Sequence, residues 1–131
     1  MYREKIDAYI DSKKDEMIED LKTLVRIDSQ RGRAKEGKPF GDGPAKVVAA
    51  AEGLMKQDGL QTTNYDNYVV TGDFGTQEKA LDILAHLDVV PVTEDWTVTE
   101  PFQPKVVDGR IYGRGTADDK GPAIAALYAL R

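Results

Sequence analysis

The hydrophobic periodicity of this 131-residue chain changes near Leu60, and that change restricts the folds available to it. Before this point, apolar residues recur at three-to-four spacing over residues 2–27 and again over residues 44–58, which is typical of amphipathic helices. Pro44 suits the first turn of the second helix, and Gly59 suits its end. The polar face of the first helix is dense in Lys, Asp and Glu and is interpreted as a solvated surface.

After Leu60 the apolar residues fall in short β-prone runs. Strands are predicted near residues 61–65, 68–73 and 80–85, while residues 105–107 and 110–112 flank an Asp-Gly hairpin turn. A last helix begins at Gly121 and Pro122. Helices that alternate with strands indicate an α/β fold, with a mixed sheet flanked by helices and ligands gathered at the carboxyl ends of strands.

The composition excludes several classes of protein. The absence of cysteine excludes disulfides, thiolate catalysis and a sulfur-ligated zinc, so nitrogen and oxygen atoms would have to hold any metal. The net charge of -5 comes from interspersed acidic and basic residues, without the basic stripe that nucleic acids need. No apolar run approaches the roughly 20 residues of a membrane span, and the charged N-terminus differs from a secretory signal. We therefore expect a cytoplasmic protein that binds neither nucleic acids nor membranes.

The single histidine, His86, stands in a segment built like a metal-binding loop. It follows the apolar run 81–85, and Pro91 prevents a strand from continuing. Residues two apart in an extended chain face the same side, so the carboxylate of Asp88 can reach one imidazole nitrogen and leave the other free for a metal. Taken alone, this segment has a second interpretation, in which His86 is a structural histidine and Asp88 a turn residue.

A second segment of this kind contains Asp118 and Asp119, directly before the last helix. Acidic residues at this place would also complement the helix dipole, but that explanation leaves Gly113, Gly115 and Lys120 unaccounted for. A carboxylate that bridges two cations offers one oxygen to each, and spaced glycines let the backbone fold closely around such a site. The two segments together predict part of a metallohydrolase active site.

These segments resemble the signature of the co-catalytic zinc peptidases and deacylases. The matching positions are residues 86–91, Trp96, residues 101–102, residues 108–115 and residues 118–121. Within that family, the run Asp-Asp-Lys-Gly is similar to PepV-type bacterial dipeptidases, whereas the deacylases typically have Asp-Met-Lys-Gly. Residues 40–44 and 66–68 are also similar to the dipeptidase branch.

The resemblance implies that residues 1–131 are the N-terminal portion of a zinc-peptidase catalytic domain whose full-length protein hydrolyses dipeptides with a free N-terminus. His86 would bind one of two zinc ions, with manganese or cobalt as other metals that the site could use. Asp88, the one catalytic residue expected here, would orient the imidazole. Asp118 would bridge both ions, and Asp119 would follow it across a cis peptide bond and help to place it.

Other parts of the family's site are missing from the sequence. The family takes its general base from a downstream Glu-Glu pair, and no such pair occurs here. A further acidic ligand, a late histidine and the lid domain are missing too, so the rest of the catalytic domain and the lid would be needed as partners. The last helix reaches Arg131 without a cap or a glycine, which we interpret as an incomplete domain. The alternatives are an N-acyl amino acid deacylase of the same family and a non-catalytic binding module with a vestigial site.

Overall fold

Three helices account for most of the regular structure in the computed structural model, which describes all of residues 1–131. They are α1 (Tyr2–Val25), α2 (Asp42–Gln57) and α3 (Lys120–Leu130). The sequence predicted each of them, with small differences at the ends. Helix α2 begins at Asp42 rather than at Pro44, because Gly41 makes the turn into the helix with a φ of 95°.

The strands form two antiparallel hairpins, each at a predicted position. Strands β1 (Gln61–Tyr65) and β2 (Val69–Asp73) make the first hairpin, and β3 (Lys105–Val107) and β4 (Arg110–Tyr112) make the second. The second hairpin turns at Asp108 and Gly109, where φ is 49° and 73°. Two consecutive positive φ angles are the geometry that an Asp-Gly pair favours in a two-residue hairpin loop.

The predicted strand over residues 80–85 is wrong, because this segment has no regular structure and pairs with neither hairpin. A strand is stable only when its backbone N–H and C=O groups pair with those of a neighbour. Without such a neighbour, Leu81 and Leu84 are 75% and 94% exposed. His86 therefore follows an irregular segment, and contacts with other loops must hold it in place.

The hydrophobic core lies where the three helices and the first hairpin meet. Its buried side chains are Leu21, Leu24, Val25, Val47, Leu54, Leu60, Ile124, Leu127 and Tyr128. The first half of α1 extends beyond this core with its side chains exposed, and no helix combines the length with the apolar character that a membrane span requires. The core thus fixes the C-terminal end of α1 against α3, the helix that follows the predicted aspartate pair.

Helices α2 and α3 begin alike, with a Gly-Pro pair in the first turn that has no room for a side chain at the glycine. A Cβ atom on Gly43 would lie 2.0 Å from the carbonyl oxygen of Asp28. A Cβ atom on Gly121 would likewise lie 2.0 Å from the carbonyl oxygen of Thr116. Each glycine therefore lets a loop backbone lie directly against the first turn of a helix.

Candidate metal centre

Two loops bring the predicted site residues together around a small open cleft. Residues 86, 88–90 and 113–118 line this cleft, whose volume is about 200 Å³. His86 and Asp88 lie on one side and Asp118 on the other. The sequence prediction that the two segments share one site is thus matched by their positions in the fold.

The loop that carries His86 is anchored to the chain segment after α1. The fully buried hydroxyl of Ser29 donates a hydrogen bond to the carbonyl of Leu87 at 2.7 Å. Gln30 forms a parallel bridge with Val89, and its side-chain oxygen accepts from the backbone N–H of Val92 at 3.1 Å. These contacts replace the missing strand as the support of the His86 loop. Sequence reasoning missed Ser29 and Gln30, because both lie in a stretch with no apolar periodicity.

Both nitrogens of the His86 ring face oxygen atoms. Nε2 lies 2.8 Å from Oδ1 of Asp118, and Nδ1 lies 3.2 Å from Oδ1 of Asp88 and 3.1 Å from the Asp88 carbonyl oxygen. The Asp88 contact is the one that its spacing from His86 led us to expect. The roles of these residues as ligand and orienting group stay predictions.

Asp119 supports the same histidine through the backbone. Its Oδ2 accepts a hydrogen bond from the backbone N–H of His86 at 3.1 Å. The peptide bond between Asp118 and Asp119 is cis, which confirms the sequence prediction. The two neighbouring carboxylates therefore contact different parts of His86, with Asp118 at the ring and Asp119 at the main chain.

The charges around His86 favour a positive charge on its ring. Partial burial alone would lower the pKa of His86, but the hydrogen bond to Asp118 and the contacts with Asp88 outweigh it, so the pKa is raised above its usual value. In the protonated form, His86 carries a positive charge between Asp88 and Asp118. In a metal-bound form, the neutral ring would face Asp88 on one side and a cation on the other. The negative charge of Asp118 that favours a proton on Nε2 would also favour a metal ion there.

The donor atoms present fit part of a catalytic zinc site. An imidazole nitrogen and a carboxylate oxygen are suitable zinc ligands, and a catalytic site ordinarily has three protein ligands. Nowhere in the structure do three or more His, Asp or Glu side chains converge into a group that could hold a metal. His86 and Asp118 supply two donors, and their side chains are exposed by 51% and 86%. Their exposure leaves space for further ligands from outside these residues.

The loop before α3 is built closely around Gly115, as its spaced glycines led us to expect. Gly115 has a φ of 92°, and a Cβ atom there would lie 3.0 Å from Cδ of Lys120 and 3.1 Å from Cγ1 of Val89. Lys120 itself is fully buried, and burial lowers its pKa to about 8, although the charge of Asp28 acts in the opposite direction. The sequence singled out Lys120 as a residue that the helix dipole does not explain and as part of the family signature, but it gave no role for this side chain.

Comparison with known proteins agrees with the site's residues. Residues 83–131, which include both loops, match the pattern of peptidase family M20/M25/M40. This segment is thus similar to the M20 peptidases. The match agrees with the family resemblance of the residues around His86 and Asp118, and both loops lie within the matched range.

The proteins that this chain is similar to include named dipeptidases and a solved structure. A Beta-Ala-Xaa dipeptidase from Lactobacillus delbrueckii subsp. lactis is 42% identical over 92% of this chain and 26% of its own length. The crystal structure of human carnosine dipeptidase 1 superposes with a TM-score of 0.75 and 25% identity, covering 99% of this chain and 30% of that protein. The chain thus spans between a quarter and a third of the length of these relatives, with the fold of an M20 catalytic domain over that part.

Proposed function

We propose that the full-length protein is a metal-dependent dipeptidase and that these 131 residues supply part of its metal site. The observation that carries this proposal is the 2.8 Å approach of His86 Nε2 to Asp118 Oδ1. The two residues are the nitrogen and carboxylate ligands that the family signature predicts, and they lie in different loops of the segment that matches the M20 peptidases.

The contacts in the structure support a separate role for each of the residues His86, Asp88, Asp118 and Asp119. His86 would bind one zinc ion through Nε2, since its Nδ1 already faces Asp88. Asp118 would bridge two ions, as the family resemblance implies, and its Oδ1 already faces Nε2 of His86. Asp88 would hold the ring in place, and Asp119 would fix the main chain of His86. The bound metal would polarise the scissile carbonyl and activate water at neutral pH.

Dipeptides are preferred over N-acyl amino acids as substrates for two reasons. Asp119 occupies the position at which the related deacylases typically have Met. The relatives named above are called dipeptidases, one for Beta-Ala-Xaa peptides and one for carnosine. A free amino group on the substrate is therefore the feature that should distinguish good substrates from poor ones.

The test is a metal-reconstitution assay on the full-length protein. The protein would be stripped of metal, supplied with zinc, manganese or cobalt, and assayed with β-Ala-Leu and with its N-acetylated form. We expect metal-dependent hydrolysis of the free dipeptide alone. Preferential hydrolysis of the acetylated amide bond would favour the deacylase, and a folded, metal-free protein without either activity would favour the binding module.

The 131-residue chain alone is expected to show no dipeptidase turnover and only weak zinc binding. It contributes two donor atoms to the site and lacks the Glu-Glu pair that provides the base in this family. Isothermal titration with zinc and a β-Ala-Leu assay on the purified 131-mer would check both expectations. Zinc-dependent turnover by this chain would show that the residues described here form a complete site.

Replacing Asp88 by Asn in the full-length protein is expected to cost roughly 10–100-fold in metal affinity or activity, which is the usual cost of losing an orienting partner of a metal ligand. Excess zinc should restore the metal content without restoring the full rate. Metal analysis and steady-state kinetics would be compared with Asp11→Asn, which removes an exposed carboxylate from α1. Normal turnover in Asp88→Asn would leave Asp88 as a turn residue.

A further inference from the structure

Lys120 is an unusual residue to find completely buried. None of its surface is exposed, although lysine is almost never fully buried without a charged partner. No carboxylate lies within salt-bridge distance of its ammonium group, and its hydrogen bond is to the neutral carbonyl of Ile27, at 2.9 Å. Lys120 therefore gives up hydration of a charge without gaining an ion pair in return.

The path of the Lys120 side chain connects three parts of the site. Its ammonium group donates a hydrogen bond to Ile27, in the segment that follows α1. Its Cδ and Cγ atoms lie 3.0 and 3.4 Å from the position of a Cβ on Gly115, in the loop that leads to Asp118. Cγ1 of Val89, in the loop that carries His86, lies 3.1 Å from the same position. The methylene chain thus lies at the point where both loops meet.

We propose that Lys120 is a positioning residue that holds the His86 loop and the Asp118 loop at the separation needed for both to bind metal. This inference rests on the proposed function, since it assumes that His86 and Asp118 are metal ligands. An apolar side chain would fill the same space at a lower cost of desolvation, and replacing a buried charge in this way often stabilises a protein. The hydrogen bond to Ile27 adds a fixed attachment to the segment after α1, which packing alone would not supply.

The variant Lys120→Met tests the proposal in the full-length protein, because it keeps the length of the side chain and removes the ammonium group. Metal-free protein would be titrated with cobalt(II), whose visible absorption reports the coordination geometry. We expect cobalt affinity to fall by roughly 10–100-fold, as when other supports of a metal ligand are removed. The absorption of the saturated variant should also differ from that of the unchanged protein. At saturating metal, kcat should fall while KM stays within about twofold.

The matched control is Lys56→Met, which removes an exposed lysine on α2 that pairs with Glu52. It should leave the cobalt affinity and the spectrum unchanged. The variant Lys120→Gln, which keeps a polar group, is the second variant if Lys120→Met does not fold. A folded Lys120 variant with normal affinity and spectrum would overturn the proposal. Unfolding of both metal-free Lys120 variants would also overturn it, since Lys120 would then be needed for the fold itself.

Failure of the underlying function would have a different signature. If the variants His86→Ala and Asp118→Asn bind cobalt as tightly and in the same amount as the unchanged protein, then these residues are not ligands and the proposed function fails. If those two variants lose cobalt while Lys120→Met keeps it, the metal site stands and the positioning role of Lys120 is wrong.

Discussion

Replacing Asp118 by Asn in the full-length protein should remove bound metal and dipeptidase activity together. The amide is nearly isosteric with the carboxylate, but it has lost the negative charge and offers one oxygen rather than two. It therefore cannot give an oxygen to each of two cations, which is the role that the bridging position requires. We expect the loss of activity to exceed the roughly 100-fold upper limit for residues that only orient a ligand.

Metal analysis beside steady-state kinetics would measure this effect, with Asp11→Asn on the exposed face of α1 as the control. Added zinc should not rescue Asp118→Asn at concentrations that restore the metal content of Asp88→Asn. Full metal occupancy in Asp118→Asn would refute the bridging role, even if the activity were low.

Replacing Gly121 by Ala should destabilise the protein, although alanine is the better helix former. The new Cβ would lie 2.0 Å from the carbonyl oxygen of Thr116, so the loop or the first turn of α3 would have to move. Forcing extra atoms into a packed region typically costs about 1–3 kcal/mol, and here the obstacle is a backbone atom that cannot change rotamer. Because the displaced loop carries Asp118, cobalt affinity should fall as well.

Gly53→Ala is the matched control, since Gly53 is also a helical glycine and a Cβ there would meet nothing within 4 Å. That change should stabilise the protein by roughly 0.5–1 kcal/mol through helix propensity and the entropy of the unfolded chain. Thermal unfolding of the metal-free full-length variants would compare the two. Equal melting temperatures for Gly121→Ala and Gly53→Ala would show that the loop moves aside at no cost.

The elements that the sequence predicted well are those whose signals are local. The three-to-four spacing of apolar residues predicted α1, and the Asp108-Gly109 pair predicted the turn between β3 and β4. The apolar segment 80–85 was also predicted to be a strand, yet it forms none here. Its state depends on a pairing partner, which a local pattern does not specify.

The residues of the site were also predictable where the signal was local and unpredictable where it was not. The sequence singled out His86, Asp88, Asp118 and Asp119, since their residue types and spacing suit metal chemistry, and the structure places all four together. The supports of these residues could not be predicted. The hydrogen bond from Ser29 to Leu87 joins residues 58 apart, and that from Lys120 to Ile27 joins residues 93 apart. Contacts at such separations arise only from tertiary packing, which a local pattern does not specify.

The hydrogen bond from the His86 main chain to Asp119 bears on how a cation would be captured. It ties the backbone of one proposed ligand to the residue next to the other, so a contact within the protein itself helps to hold the two loops together. Ordering a mobile loop would otherwise consume part of the binding free energy. A metal ion at Nε2 would compete with a proton for that nitrogen, because the neighbouring carboxylates favour either cation. Metal affinity at this half of the site should therefore fall as the pH falls, because protons compete with the metal ion for Nε2.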